Sequence, residues 1–369
     1  MRGLFGLMVA IPLAVGCGDG DKPNDTGTEI TDADGGADGA DDGADDVDAD
    51  GDDADADGDD ADADGDDVDA DADADADGDD ADADGADDTG SESTLVEMEN
   101  GRQDLMHDGR NRRYWLYQPD GIGEDAPLVL VMHGYGGNAR DIQTYSNMND
   151  VADEHGFVVA YPQGTRDEDS NRFFNVGYAF HPGVTIDDVG FVKAIVSQLQ
   201  SNLGASEENV FATGMSNGGE MSYMLACQAA DVFKSVASVS GIMFESFASD
   251  CTPARAISIF EIHGTADDVN WYGGDPTGEG GWGPYRGIED GIDFWTATND
   301  LSQQESSSLP DTDSSDGSDI TFERHWSDDS DIEVWLYRVN GGGHDWPGNE
   351  GNMDINSSES VWSFFGRDL

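Results

Sequence analysis

The chain has 369 residues and a formal net charge of −65, from 81 acidic and 16 basic residues. Of the acidic residues, 34 lie between Asp19 and Asp88, and the remainder of the chain is still strongly acidic. This charge repels phosphate backbones and anionic lipid headgroups, so it argues against nucleic acid as a partner.

The N-terminus resembles the signal peptide of a bacterial lipoprotein. Arg2 supplies a positive charge, and the apolar run from Leu4 to Val15 is too short to span a bilayer comfortably. The run leads into LAVGC, so we expect residues 1–17 to be a signal peptide with a lipobox and Cys17 to be lipidated. Because Ala14 stands where a lipobox usually has a leucine-like residue, an ordinary signal peptide is the alternative.

Residues 18–97 are predicted to be a disordered acidic linker. From Thr31 to Gly90 the chain is almost entirely Asp, Ala and Gly, which cannot bury enough apolar surface to offset chain entropy. The repeated pattern D-x-D-x-D-G also begins EF-hand loops, so weak calcium binding at several sites is a second interpretation. No closing glutamate follows the pattern. We expect a cell-envelope lipoprotein exposed at the cell surface, or a secreted protein.

Residues 98–369 are predicted to form an α/β domain with a mainly parallel sheet and helices on both faces, because strands and helices alternate. The expected strands are residues 112–119, 127–134, 157–162, 209–214, 235–241, 257–264 and 332–339. The expected helices are residues 139–155, 187–203, 217–230, 288–298 and 355–365. Residues 306–319 are expected to be a polar surface loop.

Ser216 is the candidate nucleophile. It lies in GMSNG, a G-x-S-x-G pattern, between a predicted buried strand and a predicted helix. Small residues at Gly214 and Gly218 allow the sharp turn that exposes such a serine above the sheet. A serine hydroxyl needs a base to take its proton, and in this arrangement an acid and then a histidine follow later in the chain.

The acid and the base appear in that order. Asp267 follows the strand that ends in EIHG, and His344 follows the late strand in a loop with three glycines. Adjacent Asp268 is an alternative acid. The histidines that close two earlier strands, His133 and His263, are expected to brace loops.

An oxyanion hole needs two backbone N–H groups that point at the developing negative charge. We predict that Asn217, directly after the serine, supplies one of them. Tyr135, in the glycine-rich loop HGYGGN after an early strand, is the candidate for the other.

Together these motifs resemble the secreted poly(3-hydroxybutyrate) depolymerase-like esterases, which are close to feruloyl and acetylxylan esterases. The resemblance rests on LVMHGYGGNA, FATGMSNGGEMSYMLAC, IHGTADDVNWYGG and GGGHDWPG among others, and extends over most of the region after Gly109. It implies an α/β-hydrolase fold, hydrolysis of carboxylic esters by Ser216, Asp267 and His344, and neither a metal nor an organic cofactor.

Cysteine usage fits this resemblance. If Cys17 is acylated, Cys227 and Cys251 remain as a pair in an oxidising compartment, and they match one cysteine pair of the family. A second pair that is common in the family is absent from this sequence. We therefore expect a disulfide between Cys227 and Cys251.

An aromatic, glycine-rich segment departs from the family pattern. Its aromatic residues, together with one tryptophan beyond His344, are predicted to form a stacking platform for a flat acyl group. The alternative is that they pack as ordinary core or loop aromatics. The five residues are Trp271, Tyr272, Trp282, Tyr285 and Trp346.

The sequence thus predicts a serine esterase that acts through an acyl-enzyme on an extracellular polyester or on feruloyl or acetyl esters of polysaccharide. The alternative is a non-catalytic, calcium-responsive binding protein of the cell surface. A peptidase of the same fold is disfavoured because the short chain has no gating domain.

Overall fold

The structure is a computed structural model that describes residues 98–369. The predicted signal peptide, the predicted lipid attachment site Cys17 and the predicted linker therefore lie outside the described residues. Within residues 98–369, none of the helices combines the length and the apolar character that crossing a membrane requires.

Ten of the strands in the described part of the chain form one sheet, and two short strands form another. In chain order the strands are β1 (Gly101–His107), β2 (Arg110–Tyr117), β3 (Leu128–Met132), β4 (Val158–Pro162), β5 (Thr165–Arg166), β6 (Arg172–Phe173), β7 (Val210–Met215), β8 (Ser235–Val239), β9 (Ser258–Gly264), β10 (Gln303–Ser308), β11 (Asp319–Ser327) and β12 (Ser330–Asn340). The order in the large sheet is β1-β2-β4-β3-β7-β8-β9-β12-β11-β10.

The six central strands, from β4 to β12, are parallel to one another, and antiparallel strands flank them on both sides. Every residue of β3, β4, β8 and β9 is buried. Apolar side chains must fill both faces of such strands, which explains why these strands appear in the sequence as continuous apolar runs.

Helices cover both faces of the sheet. They are α1 (Ala139–Ser146), α2 (Met148–His155), α3 (Asp188–Leu203), α4 (Asn217–Gln228), α5 (Glu245–Ala248), α6 (Ile288–Thr298) and α7 (Ser357–Phe365). Side chains of α3, α4 and α6 pack in one apolar cluster with alternate residues of β3 such as Leu130. Side chains of α1, α2 and α7 pack in a second cluster with Val129 and Val131. The predicted mainly parallel sheet with helices on both faces is confirmed.

Some predicted elements differ from the structure. The helix expected over residues 139–155 is two helices, because Asn147 adopts a left-handed conformation with φ 55° between α1 and α2. The polar segment expected to be a loop over residues 306–319 begins inside β10, all six residues of which are exposed. Strands β1 and β11 have no counterpart among the predicted elements.

The structure contains the predicted disulfide between Cys227 and Cys251, whose Cα atoms are 4.9 Å apart. Cys227 lies in the last turn of α4, the helix that begins after Ser216, and Cys251 follows the short helix α5. The bond therefore ties the far end of the helix after Ser216 to the segment that leads into β9. A crosslink of this kind typically stabilises a fold by about 2–4 kcal/mol.

Candidate active site

Ser216 occupies a tight turn between β7 and α4. Its φ of 53° is one that L-residues rarely adopt, and its backbone N–H donates to Val239 O at 2.9 Å. A Cβ on Gly218 would lie 2.1 Å from Met132 O, and one on Gly214 would lie 2.6 Å from the backbone of Gly218. Only glycine fits at these two positions, which explains why the G-x-S-x-G pattern accompanies this turn.

Asp267 and His344 are in direct contact: His344 Nδ1 lies 2.8 Å from Asp267 Oδ2. Asp267 is buried, and its Oδ1 accepts from the backbone N–H groups of Val269 and Asn270. Burial alone would raise the pKa of Asp267, but hydrogen bonds from His263 and His344 outweigh burial and hold this pKa well below its usual range. Neighbouring Asp268 is exposed. The geometry therefore favours Asp267 as the acid.

Backbone packing between two loops brings His344 to Asp267. Thr265 N donates to Val339 O and Ala266 N donates to Gly342 O, both at 2.9 Å. A Cβ on Gly264 would lie 2.3 Å from the carbonyl oxygens of Gly342 and Gly343. The loops that follow β9 and β12 thus lie backbone against backbone, which a side chain at Gly264 would prevent.

Ser216 lies at the same edge of the sheet as this pair. It follows β7, Ser240 follows β8, and the loops of Asp267 and His344 follow β9 and β12. Ser240 joins these loops, because its N–H donates to Ile262 O and its hydroxyl donates to the carbonyl of Asp345, the residue after His344. The carboxyl edge of a parallel sheet is where ligands bind in open α/β proteins.

The glycine-rich loop after β3 packs against Ser216. A Cβ on Gly134 would lie 3.4 Å from Ser216 Cβ, so the next residue, Tyr135, is close to the serine. Within residues 98–369, neither the Tyr135 nor the Asn217 backbone N–H has a protein acceptor. Both donors are therefore available to a ligand oxygen, as an oxyanion hole requires.

His133 braces this loop. Its Nε2 accepts from Gly164 N at 3.0 Å, so its Nδ1–H donates to Gly134 O at 2.8 Å. Burial lowers the pKa of His133 to about 4, so its ring is neutral at physiological pH.

His263 contacts the carboxylate of Asp267 and stabilises its ionised form. It is buried, with Nδ1 2.8 Å from Glu261 Oε1 and Nε2 2.8 Å from Asn270 O and 3.3 Å from Asp267 Oδ2. Burial alone would lower the pKa of His263, but the hydrogen bonds to Asp267 and Glu261 raise it to about 10. The ring is therefore an imidazolium that donates from both nitrogens. This contact agrees with the expected bracing role and adds a charge that favours ionised Asp267.

The five aromatic residues predicted as a platform do not share one surface. Trp346 is buried in the second apolar cluster and donates from Nε1 to Ser358 Oγ. Tyr285 is buried too, and its hydroxyl accepts from Trp271 N at 3.0 Å. The prediction that they belong to a stacking platform is therefore wrong for Trp346 and Tyr285, because their rings are buried in the core.

The other three predicted platform residues are more accessible. The Tyr272 hydroxyl is held between Glu289 and Arg338, and the Trp271 ring is 38% exposed. The Trp282 ring lies 5.8 Å, centroid to centroid, from the ring of Tyr135. Of the five, Trp282 is thus the residue whose ring packs against Tyr135 in the predicted oxyanion loop.

Two aromatic residues that the sequence patterns do not single out complete this group. Tyr178 and Phe180 have ring centroids 5.8 and 5.7 Å from that of Tyr135. We call Tyr135, Tyr178, Phe180 and Trp282 the aromatic cluster. Phe180 is 43% exposed, so the cluster presents an apolar surface to solvent beside the loop that packs on Ser216.

Glu220 and Asn270 are further polar residues of the site that the motifs do not indicate. Both are buried, and Asn270 Nδ2 lies 3.3 Å from Glu220 Oε1. One signal was present in the sequence: Glu220 is an acidic residue within an otherwise uncharged, largely apolar stretch that is predicted to be a helix. A charge in such a place is typical of a functional or strongly hydrogen-bonded position.

Residues 112–269 match the family model described as Esterase PHB depolymerase. The matched segment includes Ser216 and Asp267 but ends before His344.

Several curated proteins are similar. The putative esterase NocK of Nocardia uniformis is 28% identical over 257 residues, which cover 65% of this chain and 72% of NocK. Feruloyl esterase C of Emericella nidulans is 33% identical over 175 residues, covering 46% of this chain and 61% of that protein. The bifunctional acetylxylan esterase/xylanase XynS20E of Neocallimastix patriciarum is 27% identical over 161 residues, covering 44% and 22% respectively. The chain thus spans less than two thirds of the latter two relatives.

Among solved structures, an acetyl xylan esterase from Aspergillus awamori aligns with 72% of this chain and 99% of its own, at 15% identity and a TM-score of 0.49. The family match and the curated relatives confirm the predicted class of enzyme, an ester hydrolase. Residues 112–269 thus resemble the family that the sequence motifs predict, the poly(3-hydroxybutyrate) depolymerase-like esterases.

Proposed function

We propose that residues 98–369 hydrolyse carboxylic esters through an acyl-enzyme on Ser216. The Ser216 hydroxyl attacks the ester carbonyl while His344 takes its proton, and Asp267 orients the imidazole and stabilises its positive charge. Backbone N–H groups of Asn217 and Tyr135 receive the oxyanion. The alcohol leaves with a proton from His344, and a water activated by the same imidazole then releases the acid.

The observation that carries this mechanism is the hydrogen bond from His344 Nδ1 to Asp267 Oδ2 at the edge of the sheet where Ser216 occupies its strained turn. Acyl transfer needs a nucleophile, a base and an orienting acid in one place. The Tyr135 and Asn217 N–H groups, which have no protein acceptor within residues 98–369, supply the remaining requirement.

For the substrate, we propose an ester of a polymer, either a polyester or a feruloyl or acetyl ester of polysaccharide. The aromatic cluster supports an acyl or alcohol group with an apolar face, since such groups pack on exposed rings. Two of the similar proteins, a feruloyl esterase and an acetylxylan esterase/xylanase, support the same choice.

The test of the mechanism is labelling with a fluorophosphonate probe, together with hydrolysis of p-nitrophenyl acetate, methyl ferulate, acetylated xylan and poly(3-hydroxybutyrate). We expect labelling, because only an activated serine reacts with the probe, and turnover of at least one polymer-derived ester. A calcium-responsive binding protein would neither react with the probe nor release product from any of the four esters. That result would exclude the proposed function.

For the location, we propose that a lipid on Cys17 anchors the chain to a membrane and that residues 18–97 form a tether between the anchor and the enzyme. The support is the lipobox-like LAVGC and the dense negative charge of the segment, since self-repulsion extends a chain. A tether of this composition lets the enzyme reach a substrate too large to enter the cell envelope.

The Cys17→Ser variant tests the anchor. We expect wild-type protein in the membrane fraction and the variant in the medium or the soluble fraction, because a lipidated cysteine holds the chain at the membrane. Esterase activity per molecule should be equal in the two proteins. Retention of the Cys17→Ser variant in the membrane fraction would contradict the proposed anchor.

A further inference from the structure

Glu220 lies one helical turn after the candidate nucleophile. Its backbone N–H donates to Ser216 O at 2.9 Å, and its side chain is directed away from solvent, with 1% of the residue exposed. Among the described residues, it is the only acidic residue in α4, and the proposed mechanism does not use it. Burying a carboxyl group costs free energy unless the group makes hydrogen bonds, so we expect Glu220 to have hydrogen-bond partners.

Three side chains donate hydrogen bonds to the carboxyl group. The Tyr178 hydroxyl and Asn217 Nδ2 lie 2.7 and 3.4 Å from Oε2. Asn270 Nδ2 lies 3.3 Å from Oε1. Each donor belongs to a different part of the site: the aromatic cluster, the residue whose N–H is proposed for the oxyanion, and the loop of the proposed acid.

These partners in turn hold the groups that take part in the chemistry. Asn217 clamps Phe174, since its Oδ1 accepts from Phe174 N at 2.6 Å and its Nδ2 donates to Phe174 O at 3.0 Å. Asn270 donates from its backbone to Asp267 Oδ1 at 2.8 Å and from its side chain to Ser240 O at 2.7 Å. The Glu220 carboxyl thus links the side that binds the oxyanion with the side that orients the histidine.

The protonation state of Glu220 decides whether all three contacts exist together. A carboxylate only accepts hydrogen bonds, so the ionised form satisfies all three donors, whereas a protonated carboxyl must use one oxygen as a donor. Burial raises the pKa of Glu220, and hydrogen bonds from Tyr178, Asn217 and Asn270 oppose this, with a result of about 7.

The titratable groups that face Glu220 come from three other elements. Tyr178 lies on the segment before α3, Tyr285 on the segment before α6, and Glu261 on β9. Glu261 disfavours a second negative charge, and it is itself paired with the His263 imidazolium, which also touches Asp267. No basic side chain makes an ion pair with Glu220 among the described residues.

We propose that Glu220 is a positioning residue for the ester hydrolysis described above, and that its ionised carboxylate holds the oxyanion side and the acid side of the site in their working arrangement. This inference rests on the proposed function. It predicts that activity requires the ionised carboxylate of Glu220, so protonation of this carboxylate contributes one proton to the decline of kcat toward acid pH.

The test compares kcat and KM for p-nitrophenyl acetate between pH 5 and 9 in wild type, Glu220→Gln and the matched surface control Glu208→Gln. Glu208 is exposed and lies outside the site. We expect kcat of Glu220→Gln to fall about tenfold, the equivalent of one hydrogen bond to a charged group, with KM within about twofold. The decline of kcat toward acid pH should involve one proton fewer in Glu220→Gln than in wild type and the control.

A second variant keeps the inference testable if Glu220→Gln does not fold. Tyr178→Phe retains the ring and removes a hydrogen bond that favours the ionised carboxylate, so the acid limb should move to higher pH. The proposal is overturned if wild type is active and the pH profile of kcat is the same in Glu220→Gln as in the control. It is also overturned if the pH profile of Tyr178→Phe equals that of wild type. Wild type that neither reacts with the fluorophosphonate probe nor hydrolyses an ester would instead refute the proposed function.

Discussion

Ser216→Ala is expected to lower kcat for p-nitrophenyl acetate by about three orders of magnitude or more. Alanine removes the hydroxyl that forms the acyl-enzyme, and loss of a triad member has effects of this size in serine hydrolases. Since alanine adopts the backbone of this turn no less readily than serine does, the fold should be unchanged. The measurements are steady-state kinetics and fluorophosphonate labelling of the purified variant.

Ser201→Ala is a suitable control for this variant. Ser201 is exposed near the end of α3, on a helix that carries none of the proposed catalytic residues. It should keep wild-type kcat and probe labelling. Near-wild-type turnover by Ser216→Ala would show that another group performs the chemistry.

Asp267→Asn should lower kcat by about 10⁴, as an amide does in this position of a Ser-His-Asp triad. The amide oxygen can keep accepting from the backbone N–H groups of Val269 and Asn270, which leaves the NH₂ group facing His344 Nδ1. The imidazole must then accept a hydrogen bond at Nδ1 and carry its own proton on Nε2. In that tautomer it cannot take the proton of Ser216.

Asp268→Asn is the matched control, because it makes the same chemical change one residue away on an exposed side chain. Kinetics of the two variants at the same pH, with thermal unfolding to establish that both fold, give the comparison. We expect wild-type activity in Asp268→Asn. A large loss in Asp268→Asn with little loss in Asp267→Asn would assign the acid to the neighbouring carboxylate.

The central part of the fold could be predicted from the sequence, because burial on both faces leaves a mark in the residues themselves. Strands β3, β4, β8 and β9 have no exposed residue, and their sequences are nearly continuous runs of apolar and small side chains. Outer strand β10 has the sequence QQESSS with every residue exposed, so no alternation marks it as a strand. The left-handed conformation of Asn147 ends α1, but the helical pattern across residues 139–155 gives no indication of this break.

For the candidate site, chain order and glycine spacing lead to the prediction of Ser216, Asp267 and His344, because the turn and the loops of a serine hydrolase need those residue types at those places. Contacts between distant segments could not be read in this way. Glu220 meets Tyr178 and Asn270 across 42 and 50 residues of chain. Whether an aromatic ring points inward, as that of Trp346 does, also depends on partners that only the folded chain brings together.

The composition of β10 has a consequence for how molecules of this protein meet. This strand is at one end of the large sheet, so one side of its backbone has no neighbouring strand among the described residues. Unpaired strand edges of this kind are templates for aggregation. A second chain that paired with Gln303–Ser308 would bury no apolar side chain, because the six exposed residues are Gln, Glu and Ser. Pairing at this edge would therefore gain backbone hydrogen bonds but no apolar burial from the side chains of β10.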